Sequence, residues 1–216
     1  MAEQFSRREI LSILVAWIVL SVAVSYKYVL GFIGGNASDL QIVAAASIAT
    51  ATGFILHEMG HKFVALRRGY VAHFQIWAWG IALTLVTAII SGGNFLFGAP
   101  GAVYIAPAAA MTAYGYYSTK QQEADPEREN MLISAAGPGV NLAFAVFFLI
   151  VYELTSSYVV GLISYLGLEL NVGLGTFNML PIPPLDGSKI FRKNIGVALA
   201  IALPLWVMFL YLFLIA

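Results

Sequence analysis

The sequence predicts an all-α polytopic membrane protein, a bundle of about six transmembrane helices with one small β-hairpin or re-entrant element. Three observations carry that expectation. Apolar residues make up 60% of the chain and charged residues only 10%, whereas a soluble domain runs near half apolar and a quarter charged. Five apolar segments each reach the length of about 20 residues that a helix needs to cross a bilayer. The basic residues collect at one end of those segments, as the positive-inside rule requires of a cytoplasmic face.

The segments follow in order. Ile10–Phe32 is the first span, preceded by Arg7 and Arg8 and ending on Tyr26-Lys27-Tyr28 without a small-residue cleavage site, so it is expected to be retained. Leu40–Leu66 is the second, closed by Arg67-Arg68-Gly69. Phe74–Ile90 is apolar but leads into Gly92-Gly93-Asn94. The stretch Phe97–Ile105 that follows is Gly/Pro-punctuated with short β-like runs, which suits a hairpin or re-entrant element. Thr119–Asn130 is the only strongly polar stretch and reads as an exposed loop leading into a helix. Glu129–Tyr152, Tyr158–Leu180 and Ile195–Ala216 complete the spans. The whole chain, 1–216, reads as a single transmembrane domain with a core over about 40–190 and flanking spans at 10–32 and 195–216.

With the N-terminus in the cytoplasm, every lysine and arginine except Lys27 falls on the cytoplasmic side, provided that Phe74–Tyr117 enters and leaves on one side. A lone crossing by Phe74–Ile90 would flip the later loops and erase the bias. That region therefore makes no net crossing or makes two. The formal net charge is zero and no basic block occurs, so nucleic-acid binding has no electrostatic support. The absence of cysteine excludes disulfides and thiolate metal ligands.

The chemistry is concentrated in His57-Glu58-Met59-Gly60-His61, inside the second span. Residues four apart share one helix face, so both imidazoles can reach a single metal ion. Imidazole suits zinc. Glu58 stands next to the first histidine, placed to take a proton from a water that the metal acidifies. With three histidines and eight glutamates in the chain, composition alone gives roughly 10⁻³ such matches. Two histidines and a carboxylate inside an apolar helix are also costly, and are as a rule functional. His61 lies about 9 Å from the Arg67 end of the helix at 1.5 Å per residue, within reach of water and metal from the cytoplasm.

Two histidines leave a catalytic zinc one protein ligand short. His73 follows the helix boundary and reads as a surface or interface histidine. Glu153 falls in a short outer loop, and Glu169 within the fourth main span. Asp186 is the stronger candidate. It closes Asn178-Met179-Leu180-Pro181-Ile182-Pro183-Pro184-Leu185-Asp186-Gly187, where three prolines in four residues prevent a regular helix. Irregular backbone at membrane depth is tolerated where it lines protein or a wet cavity. The competing reading of Asp186 is a plain turn at a membrane exit.

Taken together, the histidine motif and Asn178-x-x-Pro181-x-Pro183-x-Leu185-Asp186-Gly187 resemble the signatures of the site-2 proteases, intramembrane zinc metalloproteases grouped as peptidase family M50. Ala136-Gly137-Pro138-Gly139-Val140-Asn141 looks like that family's third, weaker signature. The resemblance implies one zinc per chain held by His57, His61 and Asp186, with Glu58 as catalytic base. It places Asn178 beside the substrate and carries Asn141 as a supporting polar residue on the substrate-binding side. It implies transmembrane protein substrates and a multi-pass protein in the lipid bilayer, with its active site nearer the cytoplasmic face. Many members add a PDZ domain or a cystathionine-β-synthase pair, and the short loops here predict neither.

A transmembrane substrate helix must unwind before water can reach its peptide bonds, and the Phe97–Ile105 stretch offers strand edges that could hold an extended segment. A membrane-packed hairpin without that role is the alternative. Two other functions compete with proteolysis: a metal transporter, which would have no use for Glu58 as a base, and an idle membrane scaffold, which would be expected to lack a ligand or the base. The sequence leaves substrate identity and oligomeric state open.

Overall fold

The computed structural model describes residues 5–93, 98, 100–107 and 125–214. Their elements run α1 (Arg7–Val24), α2 (Tyr26–Ile33), α3 (Asp39–Thr50), a π-turn (Ala51–Ile55), α4 (Leu56–Arg67), β1 (Tyr70–Ile76), α5 (Ala78–Ser91), β2 (Gly101–Pro107), α6 (Pro126–Leu154), α7 (Tyr158–Asn178), α8 (Asp186–Lys193) and α9 (Ile195–Leu214). Among the described residues, four helices are long and apolar enough to cross a membrane: Asp39–Arg67, Pro126–Leu154, Tyr158–Asn178 and Ile195–Leu212. The pair α1 and α2 makes a fifth if taken as one span, although it bends by 81°. The described residues thus hold four or five of the expected count of about six.

Each departure has a local cause. The expected first span breaks at Ser25, whose hydroxyl donates to the Ser21 carbonyl at 2.6 Å, a back-bond of the kind that bends helices. The apolar run Phe74–Ile90 divides into the end of β1 and the 14-residue helix α5. At 1.5 Å per residue α5 is about 21 Å long, short of a hydrocarbon core of about 30 Å. The strands also pair differently from a local hairpin: β2 joins β1, with α5 between them in sequence. Residues 94–97 and 99, like the first half of the polar stretch at 119–130, lie outside the described residues, and α6 begins within that stretch, at Pro126.

The chain divides into two compact units. One holds residues up to Ile55, Phe74–Ala102 and Phe144–Asn171. In it α1 packs on α3 and α5. Trp17 Nε1 donates to the Ser47 carbonyl at 2.9 Å, and the Ser21 and Thr50 hydroxyls meet at 2.7 Å. These polar groups thus find partners where lipid offers none. The Phe74 N–H donates to the buried Glu9 carboxylate at 2.9 Å. α5 ends beside Tyr26 and Lys27, against which a Cβ on Gly93 would pack. Trp77 N–H then donates to the Pro100 carbonyl at 2.9 Å, so the chain between them returns to its point of entry.

The other unit holds Leu56–His73, Val103–Ala143 and Val172–Ala216. Its larger core joins Met131, Met179, Ile190, Ala198, Ala202 and Leu205, and a smaller one joins Ala65, Ala72 and Ile133 with Val103 packed against them. Arg68 Nη1 donates to both Glu129 oxygens, at 2.8 and 3.0 Å, joining the end of α4 to the start of α6. Glu129 is buried in α6 and is no part of an exposed loop.

Candidate metal centre and active site

The three expected ligands meet within this second unit. His57 and His61 lie one turn apart on α4, with ring Nε2 atoms 3.1 Å from each other. Asp186 Oδ2 stands 3.6 Å from His57 Nε2 and 3.0 Å from His61 Nε2. Sequence dictates both placements. The four-residue spacing sets the imidazoles edge to face, and the proline run stops α7 at Asn178 and lets α8 restart on Asp186. Gly187 allows that restart to sit against α7's end, since a Cβ there would fall 2.5 Å from the Met179 carbonyl. The plain-turn reading of Asp186 is not what the chain adopts.

The other nitrogen of each ring is accounted for. His61 Nδ1 lies 2.8 Å from the Ile133 carbonyl, which can only accept, so Nδ1 carries the hydrogen. His57 Nδ1 lies 2.6 Å from Asn141 Oδ1 and donates in the same way. In the neutral rings each Nε2 then presents a lone pair. Two lone pairs and a carboxylate oxygen so converge on one small volume. Such a donor set repels itself and is satisfied by a cation, and two imidazoles with one carboxylate match a catalytic zinc site. Buried histidines with their second nitrogens bonded are also the usual outer support of a metal site.

Burial opposes ionisation of Asp186, but when no metal is bound the charge of protonated His61 and His57 beside it outweighs that effect and holds its carboxyl below the usual carboxylate range. Asp186 Oδ1 faces Lys189 Nζ at 3.6 Å, leaving Oδ2 turned toward the histidines.

The space around the donors is shaped by glycine. A Cβ on Gly137 would run into His61 Nε2 and lie 2.6 Å from His57 Nε2. One on Gly60 would meet the Ala136 carbonyl oxygen at 3.1 Å. The pair lets α6 pass directly over the histidine face of α4. Glu58 is buried, and its Oε2 accepts from the Val103 N–H of β2 at 3.0 Å. Asn141 is fully buried behind His57. Asn178 lies at the end of α7 with its amide donating to the Leu174 carbonyl at 3.0 Å, and the three-donor group is built without it. His73 stacks on Tyr104 in the sheet, and neither it nor Glu153 nor Glu169 joins the donor group.

Sequence reasoning missed Gly137 as the floor of the donor cluster, the Ile133 carbonyl, and Val103. Gly137 was visible as part of a motif, but only three-dimensional contact reveals what its missing side chain makes room for. A backbone carbonyl or N–H has no residue type to signal it.

Comparison with known proteins places the chain in a family. The model of peptidase family M50 matches residues 45–165. A protein of Methanocaldococcus jannaschii provisionally named a zinc metalloprotease is 35% identical over 210 residues, covering 97% of this chain and 96% of its own. A similarly named protein of Bacillus subtilis is 28% identical over 164 residues, covering 71% of this chain and 70% of its own. No solved structure matches. The chain belongs to peptidase family M50.

Proposed function

We propose that this protein is an intramembrane zinc metalloendopeptidase that hydrolyses peptide bonds within or near the transmembrane helices of protein substrates. The observation that carries this reading is the convergence of two bare imidazole nitrogens and one carboxylate oxygen beside a buried glutamate. His57, His61 and Asp186 are assigned as the zinc ligands. Bound zinc supplies Lewis acidity, polarising the scissile carbonyl and acidifying water. Glu58 accepts the proton of the attacking water on its carboxylate and returns it to the leaving amine. Asn141 keeps the His57 ring in the orientation that presents Nε2. Asn178 is assigned to the substrate backbone, exchanging its bond to Leu174 for one to the incoming chain.

The described spans and the charge distribution support an N-terminus in the cytoplasm and an active site nearer that face, the arrangement in which Lys27 alone lies outside. The edge of β2 turned away from β1 offers backbone donors and acceptors to an unwound substrate segment.

The test is cleavage of a transmembrane reporter by the purified full chain in detergent. Activity should disappear in Glu58→Gln while the bound zinc stays. It should also disappear on chelation and return when zinc is restored. Cleavage that survives either treatment would refute the assignment.

A further inference from the structure

We propose that the backbone N–H of Val103 holds the Glu58 carboxylate in its working orientation, making strand β2 a positioning element of the active site. The proposal rests on the metalloprotease reading and adds a residue to it.

The sheet register makes the N–H available. Trp77 bonds to Pro100 across the sheet entrance, and His73 lies over Tyr104. In an antiparallel pair the residues of one strand point alternately toward and away from the partner. With residue 104 facing β1, residues 103 and 105 turn their N–H groups to the opposite edge. Among the described residues no third strand occupies that edge. The Val103 N–H meets Glu58 Oε2 there, at 3.0 Å.

Packing fixes the strand at that spot. The Val103 side chain sits against Ala65 of α4, Ala72 of β1 and Ile133 of α6. Ile133 is also the residue whose carbonyl takes the His61 Nδ1 hydrogen. One apolar cluster therefore sets the helix that carries the base, the acceptor behind a proposed ligand, and the donor that grips the base. A terminal carboxylate torsion is otherwise broad. Pinned through Oε2, the group offers Oε1 to the water proton in a single geometry.

The test measures kcat and KM for cleavage of a transmembrane reporter by the zinc-loaded full chain. Val103→Pro removes the N–H at an edge position facing away from the ladder, where proline is tolerated. It should lower kcat by at least about tenfold, a fraction of what a positioned base contributes, with KM little changed and zinc still bound. Val103→Ala keeps the N–H and should return most of the lost turnover. Ile105→Pro removes an edge N–H that does not face Glu58, and should act on KM in preference to kcat. The proposal is overturned if Val103→Pro keeps its kcat, acts only through KM as Ile105→Pro does, or loses its zinc. A wild-type chain that binds zinc yet cleaves nothing sinks the protease reading and this proposal together; wild-type cleavage with an unaltered Val103→Pro sinks this one alone.

Discussion

A single methyl group is enough to change the candidate metal centre. On Gly137 it would project into the volume that the two Nε2 atoms share, so Gly137→Ala should compete with the ion for space and remove most of the bound zinc. Asn141→Ala acts from behind. It frees the His57 ring to turn and leaves Nδ1 without its acceptor, and loss of such outer support weakens metal binding by about 10- to 100-fold. Titration of zinc against a chromophoric chelator reads both. Near-native affinity in either variant would mean that the donor cluster is not where the metal binds. Both residues stand in one Gly-Pro-x-x-Asn stretch of α6, so a short motif supplies the open volume beside the donor cluster and the tether of His57.

At the scale of elements, the Arg68–Glu129 pair clamps the end of α4 to the start of α6, the two helices that supply the histidines and their acceptors. The two partners are not equally exposed, with side chains 35% and 9% accessible respectively. If Glu129 is removed, Arg68 can turn to water, and Glu129→Ala should cost only about 1 kcal/mol, near the upper end for exposed pairs. If Arg68 is removed, a buried carboxylate is left uncompensated, and Arg68→Ala should cost more, about 2–3 kcal/mol. Thermal unfolding in detergent should therefore rank Arg68→Ala below Glu129→Ala, and the reverse order would show that the carboxylate is solvated. Such clamps also mark where the sequence stops being readable. Helices α6, α7 and α9 follow from hydropathy and length because a span is a local, one-dimensional property. The donor triad was legible because its spacing on α4 and the proline run before Asp186 are local as well. The pairing of β1 with β2 was not, since it joins segments on either side of α5. Nor was the bend at Ser25, which depends on the one backbone carbonyl that a serine hydroxyl selects.

For the molecule as a whole, the arrangement in the membrane follows from where the charges and the short helix fall. Helix α5 runs from the neighbourhood of Glu9 and Phe74 to that of Lys27, and the chain is back beside Trp77 at Pro100. In the proposed topology it enters the bilayer and leaves on the side it came from, and the later spans keep their direction. Counting α1 and α2 as one crossing, the proposed topology puts Asn36 and Thr155 outside and Gly69 and Asn194 in the cytoplasm. The chain contains no cysteine, so single cysteines placed at these four positions can be read without background. A membrane-impermeant maleimide applied to intact cells should label Asn36→Cys and Thr155→Cys, and should reach Gly69→Cys and Asn194→Cys only after the membrane is opened. Labelling of Asn194→Cys from outside, with Asn36→Cys also labelled, would require an odd number of crossings between α4 and α6. It would make α5 part of a true span and move Asp186 to the opposite face from the Arg67 end of α4, which its distance of 3.0 Å from His61 forbids.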